Sequence, residues 1–224
     1  MREIQTHRRQ PDMLTHTNPK SIYRLSPVYR TVLIALGAAS TAVGAFIAIP
    51  LPFSPVPIVL QNFFILLIAL VLGPRMGTAS VALYLLVGAL GLPVFAGGKG
   101  GFAHFFGPTG GYLAGFLLSA WITGVLAAGG SRQKNREPRA ATKGNAQKTK
   151  FRFQDAAAAA AGVLSVYLLG IPWLAYKLGF DWKKALIVGF LPFIAGDVLK
   201  AAAAAALAPE VRRLLLKEFH PDAG

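Results

Sequence analysis

Two ionisable residues stand three positions apart in an otherwise apolar stretch, Asp197 and Lys200 within Gly196-Asp197-Val198-Leu199-Lys200. On a helix that spacing puts both on one face. An acid and an amine in apolar surroundings can neutralise each other as an internal ion pair. They can also line a cavity, where the carboxylate accepts N–H donors from a ligand and the ammonium meets a carbonyl or an anion. A second group is glycine-rich: Gly97-Gly98-Lys99-Gly100-Gly101, then Gly107-Pro108-Thr109-Gly110-Gly111-Tyr112. Glycines let backbone N–H groups turn toward a ligand, and Lys99 adds a cation. The GPTGG segment leads into a helix whose N-terminus favours an anion. A plain flexible turn explains the same composition equally well. A third group is Gln61 and Asn62 in Val56-Pro57-Ile58-Val59-Leu60-Gln61-Asn62-Phe63, two adjacent amides that need partners wherever they are buried. Those partners are either neighbouring helices or a ligand. His104 reads as an exposed loop histidine, because no second His, Asp or Glu stands near it in sequence.

The elements that position these groups follow from charge placement. The chain has 224 residues, 23 Lys and Arg against 9 Asp and Glu, and a net charge of +14. It is 54% hydrophobic but only 14% charged, against about 25% charged in soluble domains. This composition excludes a disordered chain and argues against a soluble enzyme or a nucleic-acid binder. The absence of cysteine excludes disulfides and thiolate metal sites. Charge-free runs cover 31–74, 76–98, 100–131 and 156–176. A bilayer core about 30 Å thick takes roughly 20 apolar residues as a helix, so these runs read as membrane spans. Pro50, Pro52, Pro55 and Pro57 divide the first run, and Gly73-Pro74 breaks the chain again.

Six spans result, at about 31–49, 58–73, 77–90, 110–128, 155–173 and 185–207. The second is short and is expected to extend into the Pro-rich loop. Asp197 falls in the cytoplasmic half of the sixth unless that helix is tilted or broken, as Pro192 and Gly196 allow. Trp121, Trp173 and Trp182 fall near span ends or flanks, where an interfacial belt explains them. With both termini in the cytoplasm, 18 basic residues lie inside and 4 outside, as the positive-inside rule requires. The predicted class is an all-α integral membrane protein of six transmembrane helices with both termini cytoplasmic. Residues 1–29 form a basic tail, 30–208 the membrane domain with a basic cytoplasmic linker at 130–151, and 209–224 a second tail. The inner charges orient the helices and meet anionic lipid, not nucleic acid. Small residues fill the first span, where Ala35-x-x-x-Ala39 makes a close-packing face. No G-x-x-x-x-G-K-[ST] loop occurs, so uphill transport would need a partner or an ion gradient.

Taken together, the motifs VPIVLQNF, VLGPRMG, GALGLPVFAGGKGG, FFGPTGGYLAGF and LPFIAGDVLK, in that order from about Arg30 to Ala208, resemble the BioY family. These are the biotin-binding S components of energy-coupling-factor (ECF) vitamin transporters. The resemblance implies a six-helix membrane subunit of the plasma membrane that captures biotin from outside. It also implies docking on a membrane coupling protein that carries two cytoplasmic ATPases. Asp197 and Lys200 would contact the polar ring system of biotin, and the GGKGG loop, with Gly98 and Gly100 around Lys99, would close over it. Lys99 is then a candidate for the carboxylate, Gln61, Asn62 and Tyr112 are further pocket members, and Ala35 and Ala39 form the docking face. Biotin suits such a site, with two urea N–H donors, one urea carbonyl, an apolar thioether ring and a carboxylate tail. The 1–29 tail and the 130–151 linker are long for this family. The alternatives are an S component for another vitamin, a purely structural membrane protein, or a membrane-embedded enzyme using Asp197 and Lys200 as acid and base. The last lacks a nucleophile–base pair or a metal set, so no catalytic residue, metal or cofactor is expected.

Overall fold

A computed structural model describes the backbone over residues 26–134 and 144–219, and the side chains over 26–129 and 153–215. Of the expected 1–29 tail, residues 1–25 lie outside the described residues, and 27–29 already belong to the first helix. Helix α1 (Pro27–Phe46) starts on Ser26, whose hydroxyl accepts from Tyr29 N, with Pro27 at the first helical position, where its missing N–H costs nothing.

The Pro-rich loop departs from expectation. It is a β-hairpin, β1 (Ala48–Leu51) antiparallel to β2 (Ser54–Val59), rather than a backward extension of the second span. Proline removes helical donors and pushes the preceding residue toward extended backbone, and four prolines within eight residues leave no helical turn intact. A strand of a two-stranded sheet tolerates proline because one edge makes no ladder bonds. Ser54 fastens the hairpin by donating to Val188 O at 2.9 Å and accepting from Val56 N at 3.1 Å.

Helix α2 (Gln61–Ala89) is two legs rather than one rod. Gly73 has φ 76° and ψ −176°, a conformation essentially restricted to glycine, and Pro74 follows. A Cβ placed on Gly77 would lie 2.9 Å from Ala69 Cα. In a straight helix those residues stand about 12 Å apart. The chain therefore reverses at the Gly73-Pro74 break that the sequence predicts.

The break orphans a carbonyl. Leu70 O would accept from residue 74, but Pro74 has no N–H. Arg212 takes its place from α6 (Ile194–Phe219), donating to Leu70 O through Nε at 3.0 Å and also through Nη2. The same guanidinium grips Asp155 of α4 (Gly144–Leu178) in a fork, 3.1 Å to Oδ1 and 3.2 Å to Oδ2. Three elements are thus tied at one point, and nothing in the sequence reading foresaw it.

Helices α3 (Gly110–Lys134) and α4 both run into the stretch expected to be a linker, of which residues 135–143 lie outside the described residues. The sixth expected span is broken. Short α5 (Trp182–Gly189), capped by Asp181, meets α6 at 51° across residues 190–193. In lipid, helices associate by close packing rather than by leaving water. Glycines supply the closeness: Cβ atoms on Gly115 and Gly162 would sit 2.9 Å from Val166 Cα and 2.0 Å from Thr123 Oγ1. Four described helices, α1 to α4, are long and apolar enough to cross a membrane, and the bent α5–α6 pair is a fifth candidate.

Candidate ligand-binding site

The break before α6 puts Asp197 in the first turn of that helix, where the dipole favours a carboxylate. Lys200 Nζ lies 2.8 Å from Asp197 Oδ1. Asn62, at the start of α2, aims Nδ2 at both carboxylate oxygens at 3.4–3.5 Å. Tyr167 of α4 donates its hydroxyl to Oδ2. Three elements thus converge on one acid whose side chain is 3% exposed, with Lys200 at 12%. A carboxylate offers about four lone-pair positions, so about one remains.

The pair is not sealed on itself. Both residues line a cavity of about 390 Å³, within the roughly 300–1,000 Å³ usual for small-molecule sites. Its walls are mostly apolar, drawn from β2, α3, α4 and the turn before α6: Val56, Pro57, Leu113, Phe116, Val166 and Phe193. Gln61 and Asn62 line it too. Asn62 Oδ1 is buried without a hydrogen-bond partner among the described residues. Gln61 Nε2 and the Tyr84 hydroxyl are neighbours, yet neither meets hydrogen-bonding geometry. An unfilled acceptor and an unfilled donor thus lie within the wall beside the ion pair, closed off from the cavity in this structure.

The loop between α2 and α3 forms another wall. Phe95 and Lys99 pair across a tight reversal, Phe95 N donating to Lys99 O at 2.8 Å, with Gly97 and Gly98 at φ 73° and 69°. Only glycine takes two successive left-handed positions cheaply. Phe95 is buried edge-on to Tyr84, and it fits only because residue 88 is glycine, whose Cβ would lie 2.2 Å from the ring. That anchor presents Lys99 to the cavity. Thr109, just before α3, also lines it, near that helix's N-terminus. Tyr112 lines it and donates to Gly189 O at 2.9 Å, holding the end of α5 against α3.

Six expected residues therefore meet at one cavity: Asp197, Lys200, Lys99, Gln61, Asn62 and Tyr112. Gly98 and Gly100 are not in its wall. They shape the loop, and a Cβ on Gly100 would lie 2.2 Å from Leu92 O. Ala35 and Ala39 are exposed on α1, apart from the cavity. His104 departs from expectation. It is half-buried in the cavity wall, stacked on Phe95 with ring centroids 5.5 Å apart, and burial and the charge of Lys99 lower its pKa. Trp173 is more than a belt residue, since Nε1 donates to Gly107 O at 2.9 Å. Tyr167 went unrecognised, although a tyrosine mid-span is itself a polar group needing a partner. Among the described residues no cluster of three or more His, Asp or Glu is disposed to hold a metal.

The chain matches the BioY family over residues 15–217. It belongs to that family. A probable biotin transporter BioY of Pyrococcus horikoshii is 41% identical over 180 residues, covering 80% of this chain and 94% of the relative. The biotin transporter BioY of Thermotoga maritima is 42% identical over 176 residues, covering 79% and 91%. Among solved structures, the S-component for biotin from an ECF-type ABC transporter superposes with a TM-score of 0.71 at 30% identity, covering 89% of this chain and 95% of that one. BioY membership and the run of apolar helices make the chain a multi-pass membrane protein.

Proposed function

We propose that this chain is the biotin-binding S component of an ECF-type transporter in the cytoplasmic membrane. The observation that carries the reading is the cavity that Asp197 and Lys200 line together, with Gln61, Asn62 and Lys99 in the same wall. A cyclic urea needs acceptors for two N–H groups and a donor for its carbonyl. Asp197 supplies an acceptor and Lys200 a donor, and the Asn62 and Gln61 amides complete the set when their side chains turn toward the cavity. The apolar walls take the thioether ring and the alkyl tail. Lys99, with His104 and the nearby N-terminus of α3, takes the carboxylate. Glycines at 97 and 98 let the Lys99 loop open and close over the ligand.

The membrane arrangement belongs to the same reading. The two legs of α2 and the α5–α6 pair raise the helical crossings to six, and the excess of basic residues in the tails and the 130–151 stretch puts both termini inside. Ala35 and Ala39, exposed on α1, give a smooth face on which a helix of the coupling protein docks, and that protein's cytoplasmic ATPases supply the energy. Radiolabelled biotin retained by the detergent-solubilised chain, and displaced by unlabelled biotin, supports the reading. No retention by folded protein overturns it. Bulky Ala35→Trp or Ala39→Trp variants are expected to keep binding and lose uptake.

A further inference from the structure

The second leg of α2 carries Arg75, Thr78, Ala79 and Ala82 at i, i+3, i+4 and i+7, one face of a helix. With Trp121 and Val125 of α3 and with Pro74, that face lines a groove of about 450 Å³ separate from the biotin cavity. Arg75 makes no ion pair or hydrogen bond with any described residue. The four described acids are engaged elsewhere, Asp155 with Arg212, Asp181 at the α5 cap, Asp197 with Lys200 and Glu210 with Arg213. The Thr78 hydroxyl is buried and unpartnered, whereas Thr31, Ser40, Thr41 and Ser80 all bond the carbonyl four residues back. Trp121 stands midway along α3 rather than near a span end as expected, and it is 54% exposed. A cation, an open indole and small apolar walls therefore share one seam, with the Thr78 hydroxyl closed off behind it.

The depth of the seam decides the ligand. Gly124 packs on the α2 reversal, with its Cβ position 2.5 Å from Pro74 Cα. Fourteen residues separate it from Gly110 at the outer end of α3, about 21 Å at 1.5 Å per residue. In a hydrocarbon core about 30 Å thick the reversal lies in the inner leaflet, and an arginine there extends to the phosphate layer.

We propose that this groove binds one anionic phospholipid of the inner leaflet, with its phosphate on Arg75 and an acyl chain along Ala79, Ala82, Trp121 and Val125. The location rests on the orientation given under Proposed function. The ligand chemistry does not. The test is native mass spectrometry of the full chain in nanodiscs of equimolar phosphatidylglycerol and phosphatidylcholine, with biotin retention read on the same samples. The wild type is expected to release with one lipid, favouring phosphatidylglycerol by roughly fivefold. Arg75→Met brings that preference near unity, and Ala82→Leu, which fills the groove and keeps the charge, lowers the lipid retained. Biotin retention stays at the wild-type level in both. Equal retention of the two lipids by the wild type overturns the site, as does a preference that survives both substitutions. Should Arg75→Met fail to fold, Ala82→Leu decides alone. Lipid preference without biotin retention would leave this site standing and remove the transport reading.

Discussion

Asp197→Asn keeps the shape of the side chain and removes its charge. In the structure the carboxylate already takes Lys200 Nζ at 2.8 Å, Asn62 Nδ2 and the Tyr167 hydroxyl. The amide replaces one acceptor with an NH₂ donor, so it has no position left for a urea N–H. A charge-assisted hydrogen bond contributes about 1.5–3 kcal/mol, so the dissociation constant of biotin should rise roughly 10- to 150-fold. Folding stability also falls, because Lys200 keeps its charge without its acid. Breaking one half of a buried pair costs about 3–5 kcal/mol. The lower end applies here, since Lys200 borders a cavity in which its ammonium can be hydrated. The double variant Asp197→Asn/Lys200→Met removes the stranded charge and should recover most of the stability and none of the binding. Calorimetric titration with biotin and thermal unfolding of the purified proteins read the two effects separately. Wild-type affinity in folded Asp197→Asn, or wild-type affinity in the double variant, would refute the reasoning.

Four further outcomes follow from the same structure. Lys99→Met should weaken biotin binding while leaving a biotin derivative amidated at its carboxylate unaffected, as competition binding would show. Gly73→Ala forces a side chain into a glycine-only conformation and should cost about 1–3 kcal/mol in thermal or denaturant unfolding. Arg212→Met strands Asp155 and the Leu70 carbonyl and should cost about 3–5 kcal/mol, with Asp155→Leu in the same chain restoring part of it. His104 has its pKa lowered by burial and then by Lys99. The unfolded chain therefore binds the proton more readily, so this contribution to stability is complete above about pH 6.5 and is lost as pH falls below it. A melting-temperature profile from pH 8 to 5 should be flatter in His104→Gln than in the wild type.

The site was legible where chemistry conflicts with surroundings. Asp197 and Lys200 stand out because charge is costly in an apolar run, and Gln61 and Asn62 because adjacent amides need partners. Tyr167 was missed because its phenol hides among apolar neighbours until a distant acid claims it, thirty residues away. The Asp155–Arg212 fork was missed for the same reason, with 57 residues between partners. Its logic was nonetheless present locally, since Pro74 guarantees that Leu70 O lacks a donor. His104 was misread because sequence neighbours say nothing of Phe95, which folds back beneath it. The Pro-rich loop was misread because counting residues toward a full span outweighed what four prolines permit.

The most direct measurement is an experimental structure of the full chain with biotin bound. The account predicts the urea ring against Asp197, Lys200 and Asn62, and the carboxylate beside Lys99. Biotin seated in the opposite sense, or bound anywhere outside this cavity, would contradict it.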